Sequence, residues 1–273
     1  MPELPEVEIT RRGIVPHVQG QTVKNVIVRN AKLRWPVQPR LKKELRGKVI
    51  NTVMRRAKYL LLYTSPGTVI LHLGMSGSLR IVPADTPPQK HDHVDIIFCD
   101  GKCLRLRDPR RFGAILWTRS DPYKHYLLKN IGPEPLGDEI DGDYFFEQSR
   151  KRKTAIKHFI MNSRVIAGVG NIYACEALFR AGINPMMIAR DITMDQCHRL
   201  SDAIEQVLNE AIKQGGTTLR DFKNSDGRPG YFKLSLRVYD REGHACMSCG
   251  ASIIKTTQQQ RSTFYCQNCQ PAN

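Results

Sequence analysis

Pro2, Glu3 and Glu6 stand together at the head of the chain, and their types suit covalent chemistry. An initiator Met is usually removed before Pro, which would make Pro2 a secondary α-amine. Such an amine titrates at about 7.7–8.0 when unperturbed, so a useful fraction is uncharged and nucleophilic at neutral pH. A secondary amine gives an iminium, cationic by construction and therefore an electron sink. Glu3 lies beside it as a proton donor. The same residues also read as a plain helix lead-in, with Pro5 in the first turn and Glu6 and Glu8 at the positive end of the helix dipole.

Cys246, Cys249, Cys266 and Cys269 form two Cys-x2-Cys pairs sixteen residues apart, the spacing of a zinc ribbon. Four thiolates close a tetrahedral Zn²⁺ shell and leave no position for water, so the metal is expected to be structural. His244 is a nearby but surplus ligand candidate. Between the pairs, Ile253–Thr257 and Arg261–Tyr265 read as a hairpin with Arg261 near its tip, placed for bidentate grip on a phosphate. A tight turn there would ordinarily take Gly, where the chain has Gln259-Gln260.

Other residues admit two readings each. Gly168-Val169-Gly170 precedes Asn171-Ile172-Tyr173, either as a phosphate-binding helix start or as a packing turn. Lys58 is a positioned cation or an edge-strand charge. His72 and Met75 flank Gly74, and Arg110 and Phe112 occupy a second turn. Met75, Arg110 and Phe112 suit a wedge driven into a base stack; read alone, Met75 and Phe112 are core residues. His91 and His93 lack a matching carboxylate pattern for a metal.

The elements that must position these residues follow from periodicity. Residues 5–18 read as a short helix broken near Gly13 and Pro16. Eight β-rich runs follow: Val23–Val28, Val49–Met54, Leu60–Tyr63, Val69–Leu73, Ser78–Val82, Val94–Cys99, Cys103–Arg107 and Ala114–Trp117. This spacing predicts an antiparallel sandwich or barrel, with Asp100-Gly101 as a hairpin turn. Residues 132–143 read as a linker. Helical segments are then expected at Tyr144–Ser149, Thr154–Asn162, Asn171–Ala181 and Thr193–Lys213, the last ended by Gly215-Gly216. Residues 217–237 read as a functional loop or a connector. The expected fold is α+β, with an N-terminal domain over 1–131, a helical module over 144–237 and a zinc finger over 238–273.

Composition indicates a partner. Lys plus Arg number 42 against 26 Asp plus Glu, a net charge of +16. The excess is +9 over 1–143, +6 over 144–237 and +1 over 238–273. A polyanion is the natural counterpart, bound in a salt-dependent way. No apolar run approaches a membrane span and no signal-peptide pattern opens the chain, so a soluble intracellular protein is expected. Cys99, Cys103, Cys175 and Cys197 are expected as small buried hydrophobes of a reducing compartment.

Taken together, Pro2-Glu3-Leu4-Pro5-Glu6-Val7-Glu8, Gly170-Asn171-Ile172-Tyr173 and the four-cysteine ribbon resemble bacterial formamidopyrimidine-DNA glycosylases. Leu4 favours that branch over the related endonuclease VIII type, in which Gly is usual. The resemblance implies an N-terminal β-sandwich, a helix–two-turn–helix module and a zinc finger holding one structural Zn²⁺. It implies a base-excision repair enzyme, a bifunctional glycosylase and AP lyase that removes oxidised purines such as 8-oxoguanine and formamidopyrimidines from duplex DNA, acting as a monomer in the bacterial cytoplasm at the nucleoid. Pro2 is then the nucleophile, Glu3 the acid that helps open the sugar, and Glu6 an organiser of the site. Lys58 corresponds to a catalytic lysine near the lesion phosphates, and His72 is grouped with the DNA contacts. Asn171 and Arg261 correspond to phosphate-binding positions. Met75, Arg110 and Phe112 correspond to the residues that fill the gap left by an extruded base, and 217–237 to a lid. The alternatives are an endonuclease VIII-type glycosylase for oxidised pyrimidines and a non-catalytic zinc-ribbon DNA-binding protein.

Overall fold

The computed structural model describes residues 2–216 and 236–272. The described chain forms two compact units. One is built on the residues up to Lys129 and takes in Gln214–Gly216; the other comprises Asn130–Lys213 and the described C-terminal residues. The expected lid, with Phe222, Tyr231 and Phe232, lies outside the described residues over 217–235.

The first unit opens with α1 (Leu4–Val18). Eight strands follow, β1 (Val23–Val28), β2 (Thr52–Arg56), β3 (Tyr59–Thr64), β4 (Gly67–His72), β5 (Ser78–Pro83), β6 (Asp92–Phe98), β7 (Lys102–Arg107) and β8 (Ala114–Thr118). They form two antiparallel four-stranded sheets, ordered β1-β6-β7-β5 and β2-β3-β4-β8. Val26, Val94, Ile96, Leu104 and Leu106 of one sheet share a core with Leu60, Leu62, Val69, Leu71 and Trp117 of the other. Val7, Ile14 and Val18 of α1 join that core. The unit is thus a sandwich, one of the two forms that the eight-strand spacing leaves open.

Three local expectations are corrected. Helix α1 is not broken at Gly13 or Pro16; both lie inside it. An interior Gly costs about 1 kcal/mol and Pro about 3. Each fully buried Leu, Val or Ile returns about 1.5–3 kcal/mol, and Leu4, Val7, Ile14 and Val18 are all buried. Strand β2 starts at Thr52 rather than Val49, because Val49 instead bridges Thr22. A short helix, α2 (Leu41–Leu45), was not anticipated; it buries the i,i+4 pair Leu41 and Leu45. Among the scattered cysteines, Cys103, Cys175 and Cys197 are buried but Cys99 is exposed, since it sits just past the end of β6 beside the Asp100-Gly101 turn.

The outer face of the β1-β6-β7-β5 sheet carries a buried ion network. Arg105, 2% exposed, donates through Nε and Nη2 to the two Asp95 carboxylate oxygens at 2.9 Å each. Arg29 donates to Asp95 at 2.6 Å. Arg105 also reaches the carbonyls of Thr86 and Pro87, so it straps the segment between β5 and β6 onto the sheet. Burial works to raise the Asp95 pKa, yet hydrogen bonds from Arg29 and Arg105 outweigh it and hold the carboxyl below its ordinary range. The network's stabilisation is therefore present above that range and lost as pH falls through it.

The second unit contains α3 (Gly142–Ser149), α4 (Ile156–Met161), α5 (Asn171–Ala181) and α6 (Met194–Lys213), then the hairpin β9 (Ile254–Gln258) and β10 (Arg261–Tyr265). Asp141 caps α3 by accepting from the Tyr144 N–H at 2.8 Å. Helix α6 buries Cys197, Leu200, Ile204, Val207, Leu208 and Ala211 on one face. No described helix is long and apolar enough to cross a membrane.

Asp95→Ala would take both bidentate bonds from the buried Arg105 and leave it only the Asp92 carboxylate, at 3.7 Å. It is expected to cost about 3–5 kcal/mol, read as a lower urea midpoint at unchanged slope. A midpoint equal to that of the parent protein would refute the network's role.

Candidate active site and nucleic-acid contacts

The first turn of α1 holds the candidate nucleophile. Pro2, Glu3, Leu4, Pro5 and Glu6 are all buried. Glu3 is the N-cap, and Glu3 and Glu6 form a reciprocal capping box. The Glu3 backbone N–H donates to the Glu6 carboxylate at 2.9 Å. This arrangement satisfies helix-end N–H groups that would otherwise be orphaned, and it fixes the peptide that follows Pro2. Gly216, at φ +78°, sits against this turn: a Cβ there would fall 3.2 Å from Glu6 Oε1 and 3.0 Å from Ile9 Cδ1. The left-handed backbone favours glycine, and a Cβ would crowd the ends of the Ile9 and Glu6 side chains.

Lys58 occupies the two-residue turn between β2 and β3, in which Ala57 takes a positive φ of 52°. The turn abuts the end of β4, because Tyr59 pairs with His72 across the strands. Their rings lie 4.7 Å apart. Burial pushes the His72 imidazole down to about 4, and the Lys58 and Arg34 cations push the same way. His72 Nδ1 accepts from the Gly74 backbone N–H at 2.9 Å. The neutral ring thus carries its proton on Nε2, ready to donate. Arg34 was not singled out from the sequence; the basic-aromatic pair Arg34-Trp35 in a loop was the available signal, and its guanidinium lies 4.8 Å from the Trp35 ring centroid.

Met75 and Phe112 are not core residues, the reading they carry alone. They are 37% and 40% exposed. The Arg110 guanidinium stacks over the Phe112 ring at 5.0 Å. Their two turns touch through backbone: a Cβ on Gly74 would meet Phe112 and Gly113 main-chain atoms at 2.4–2.6 Å. The structure therefore gathers three protruding side chains, one cationic and two apolar, that are up to 37 positions apart in sequence.

In the second unit, Asn171 is the first residue of α5, after Gly168 at φ +79° and the N-cap Gly170. Its side-chain amide donates to the Ser262 carbonyl at 2.9 Å. That carbonyl also accepts from Lys157 Nζ at 3.0 Å, while Lys157 donates to Thr263 Oγ1 at 2.7 Å. Asn171 is thereby tied to the residue next to Arg261. Lys157, fully buried, was not anticipated; nothing in its sequence context separates it from the surrounding basic residues. The hairpin turn uses Gln259 and Gln260 at φ 45° and 60°, the left-handed pair of a type I′ turn built without glycine. Holding non-glycine residues there costs about 1–2 kcal/mol each. The β9–β10 pairing and the ribbon's metal site flank this turn.

The four ribbon cysteines converge. Cys246 and Cys269 Sγ atoms are 3.9 Å apart, Cys249 and Cys266 3.4 Å, and all four lie within 4.8 Å of one another. A tetrahedron with metal–sulfur bonds of about 2.3 Å has edges of about 3.8 Å, so the donor set fits Zn²⁺. The residues beneath it, Cys175, Val238, Ile253 and Phe264, form a small core of their own, too little to fold such a segment without a staple.

Three family models match the chain. Residues 1–115 match the formamidopyrimidine-DNA glycosylase N-terminal domain, 131–223 its H2TH domain, and 243–272 the zinc finger found in FPG and IleRS. Among curated relatives, the formamidopyrimidine-DNA glycosylase of Thioalkalivibrio sulfidiphilus is 57% identical over 99% of this chain and 100% of that protein. Among solved structures, the MutM (FPG) protein of Thermus thermophilus aligns at a TM-score of 0.90 and 37% identity, covering all of both chains. The Lactococcus lactis Fpg bound to DNA containing an abasic site aligns at 0.92 and 35% identity, over 99% of this chain and all of that one.

In an NMR pH series the His72 ring should show no titration down to about pH 5 and protonate only near 4. A midpoint near the ordinary 6.5 would mean the ring is not held neutral by its surroundings.

Proposed function

The chain belongs to the formamidopyrimidine-DNA glycosylase family, and we propose from that premise how its own residues carry out the reaction. The protein is a bifunctional DNA glycosylase and AP lyase acting on oxidised purines. That activity replaces the two alternatives, an oxidised-pyrimidine glycosylase and a non-catalytic DNA-binding protein. The four cysteines hold a structural Zn²⁺.

Pro2 is the nucleophile. The observation that supports this reading best is the buried first turn, in which the Glu3–Glu6 capping box pins the backbone that carries the Pro2 nitrogen. Met1 is removed to free that nitrogen. The damaged base is extruded from the stack, since chemistry on a stacked base is blocked. Unpairing costs a few kcal/mol, and insertion of Met75, Arg110 and Phe112 into the gap offsets part of it. The Pro2 nitrogen forms a bond to C1′ as the bond to the base breaks, and the base departs with a proton. Glu3 protonates the ring oxygen as the sugar opens, leaving an iminium at C1′. The cation acidifies the C2′ proton, whose loss expels the 3′ phosphate. A second elimination along the conjugated chain releases the 5′ phosphate. The iminium supplies the electron demand for both steps, and the four cysteines would hold Zn²⁺ in a structural role.

Glu6 organises this site through its bond to Glu3. Lys58 and neutral His72 contact phosphates near the lesion, His72 by donation from Nε2. Asn171 and Arg261 contact phosphates from the helical module and the zinc hairpin, the second hydrogen of the Asn171 amide being left for that bond. The functional divisions are a catalytic domain over 1–131, a linker over 132–143, a helical DNA-binding module with a lid over 144–237 and a zinc finger over 238–273. The protein acts as a monomer in the bacterial cytoplasm, at the nucleoid. Its +16 charge supports binding to duplex DNA through phosphates.

Borohydride should trap a covalent complex of the protein with abasic DNA. Pro2→Gly is expected to lower trapping and strand cleavage by about 100-fold or more, the lower range for a positioned catalytic group. Retention of both at parental rates would exclude Pro2. Arg261→Ala should weaken duplex binding and reduce the slope of log K against log salt by about one. An unchanged slope would remove Arg261 from the phosphate contacts.

A further inference from the structure

The two turns that bear Met75 and Phe112 meet at one carboxylate. Asp108 is fully buried. Its Oδ1 accepts from the Ser76 hydroxyl at 2.8 Å and its Oδ2 from the Gly113 backbone N–H at 2.7 Å. Ser76 follows Met75, and Gly113 follows Phe112, so each carboxylate oxygen holds one of the two turns. Ser76 Oγ in turn accepts from the Arg110 backbone N–H at 3.2 Å, which brings the third residue into the same set. The Asp108 carbonyl accepts from His93 Nε2 at 2.8 Å, and its N–H donates to the His91 carbonyl at 3.0 Å. Those bonds root the assembly in the start of β6, which the Arg105–Asp95 network secures from the outer face.

No cation pairs with Asp108 among the described residues. Burying a carboxylate against neutral donors alone is costly. Asparagine, of the same shape, would cost less as a mere filler. An amide, however, has a single acceptor oxygen. It can receive Ser76 or Gly113, and its NH₂ would then oppose the other donor or force it to turn. Two acceptor oxygens aimed at two turns are what this position requires.

We propose that Asp108 is a positioning residue: it locks Met75, Arg110 and Phe112 into one preassembled wedge before DNA arrives. The proposal rests on the reading of those three side chains as the ones that fill the gap left by the extruded base. Without the lock, two exposed turns would have to lose their conformational freedom at the moment of insertion. The effect belongs to base extrusion, because a preformed abasic site has no base to unstack.

The test compares two reactions of the full-length protein: single-turnover excision of 8-oxoguanine from duplex DNA, and strand cleavage at a preformed abasic site. Asp108→Asn should slow excision by about 10- to 100-fold, the scale of a small misplacement of catalytic parts. Cleavage of the abasic duplex should stay within about twofold, the spread of independent sites. Ser76→Ala, a milder change at the same junction, should move excision in the same direction, and it carries the test should Asp108→Asn fail to fold by thermal melting. In a Met75→Ala/Phe112→Ala background, Asp108→Asn should slow excision no further. Equal slowing of both reactions by Asp108→Asn and Ser76→Ala would overturn the proposal, as would full additivity in the double-alanine background. If the double-alanine protein itself excises 8-oxoguanine at the parental rate, the gap-filling reading fails and the proposal falls with it. If it is slow while Asp108→Asn and Ser76→Ala are not, only the proposal fails.

Discussion

One short bond carries much of the design: the Glu3 backbone N–H held by the Glu6 carboxylate at 2.9 Å. The proposed nucleophile precedes the first turn of a helix whose apolar face is part of the sandwich core. The capping box fixes the peptide between Pro2 and Glu3. It also explains why a carboxylate is buried at Glu6: its oxygen completes the helix start. Gly216 closes against the same carboxylate from a point more than two hundred residues along the chain, with a backbone conformation that only glycine adopts without strain.

Electrostatics around Lys58 follow a related logic. Desolvation at the end of β4, with Lys58 and Arg34 pushing the same way, keeps the His72 imidazole neutral. A neutral ring with Nδ1 already occupied is a directed donor rather than a third positive charge. A neutral imidazole adds no like-charge repulsion beside Lys58 and Arg34. The buried Asp95–Arg105 network works at greater distance, strapping the segment that leads to His93 and so to Asp108.

The zinc ribbon solves a different problem. Its hydrophobic core is small, and its hairpin turn runs through two left-handed glutamines. Metal coordination and the buried Lys157, which bonds both Ser262 and Thr263, hold the hairpin in spite of that strain. The outcome is that Asn171 is tied to the residue next to Arg261, ninety positions away in sequence. Polar side chains converge there because the Ser262 carbonyl accepts from two of them at once.

Much of this was legible in the residues themselves. The Cys-x2-Cys spacing specified the metal site, since four thiolates have few other stable uses. Short alternating or apolar runs specified eight strands, and the 3.6-residue period specified α6 nearly to the residue, because burial of one face is a local property of sequence. What periodicity could not supply was the balance between local cost and distant gain. Gly13 and Pro16 look like breaks, and only the sandwich core shows why α1 runs through them. Met75 and Phe112 look like core residues, because apolar type alone does not say which way a turn faces. Asp108 and Lys157 carried no periodic signal. Their roles arise from bonds to residues far away in sequence, and such bonds exist only once tertiary packing has brought those partners within reach.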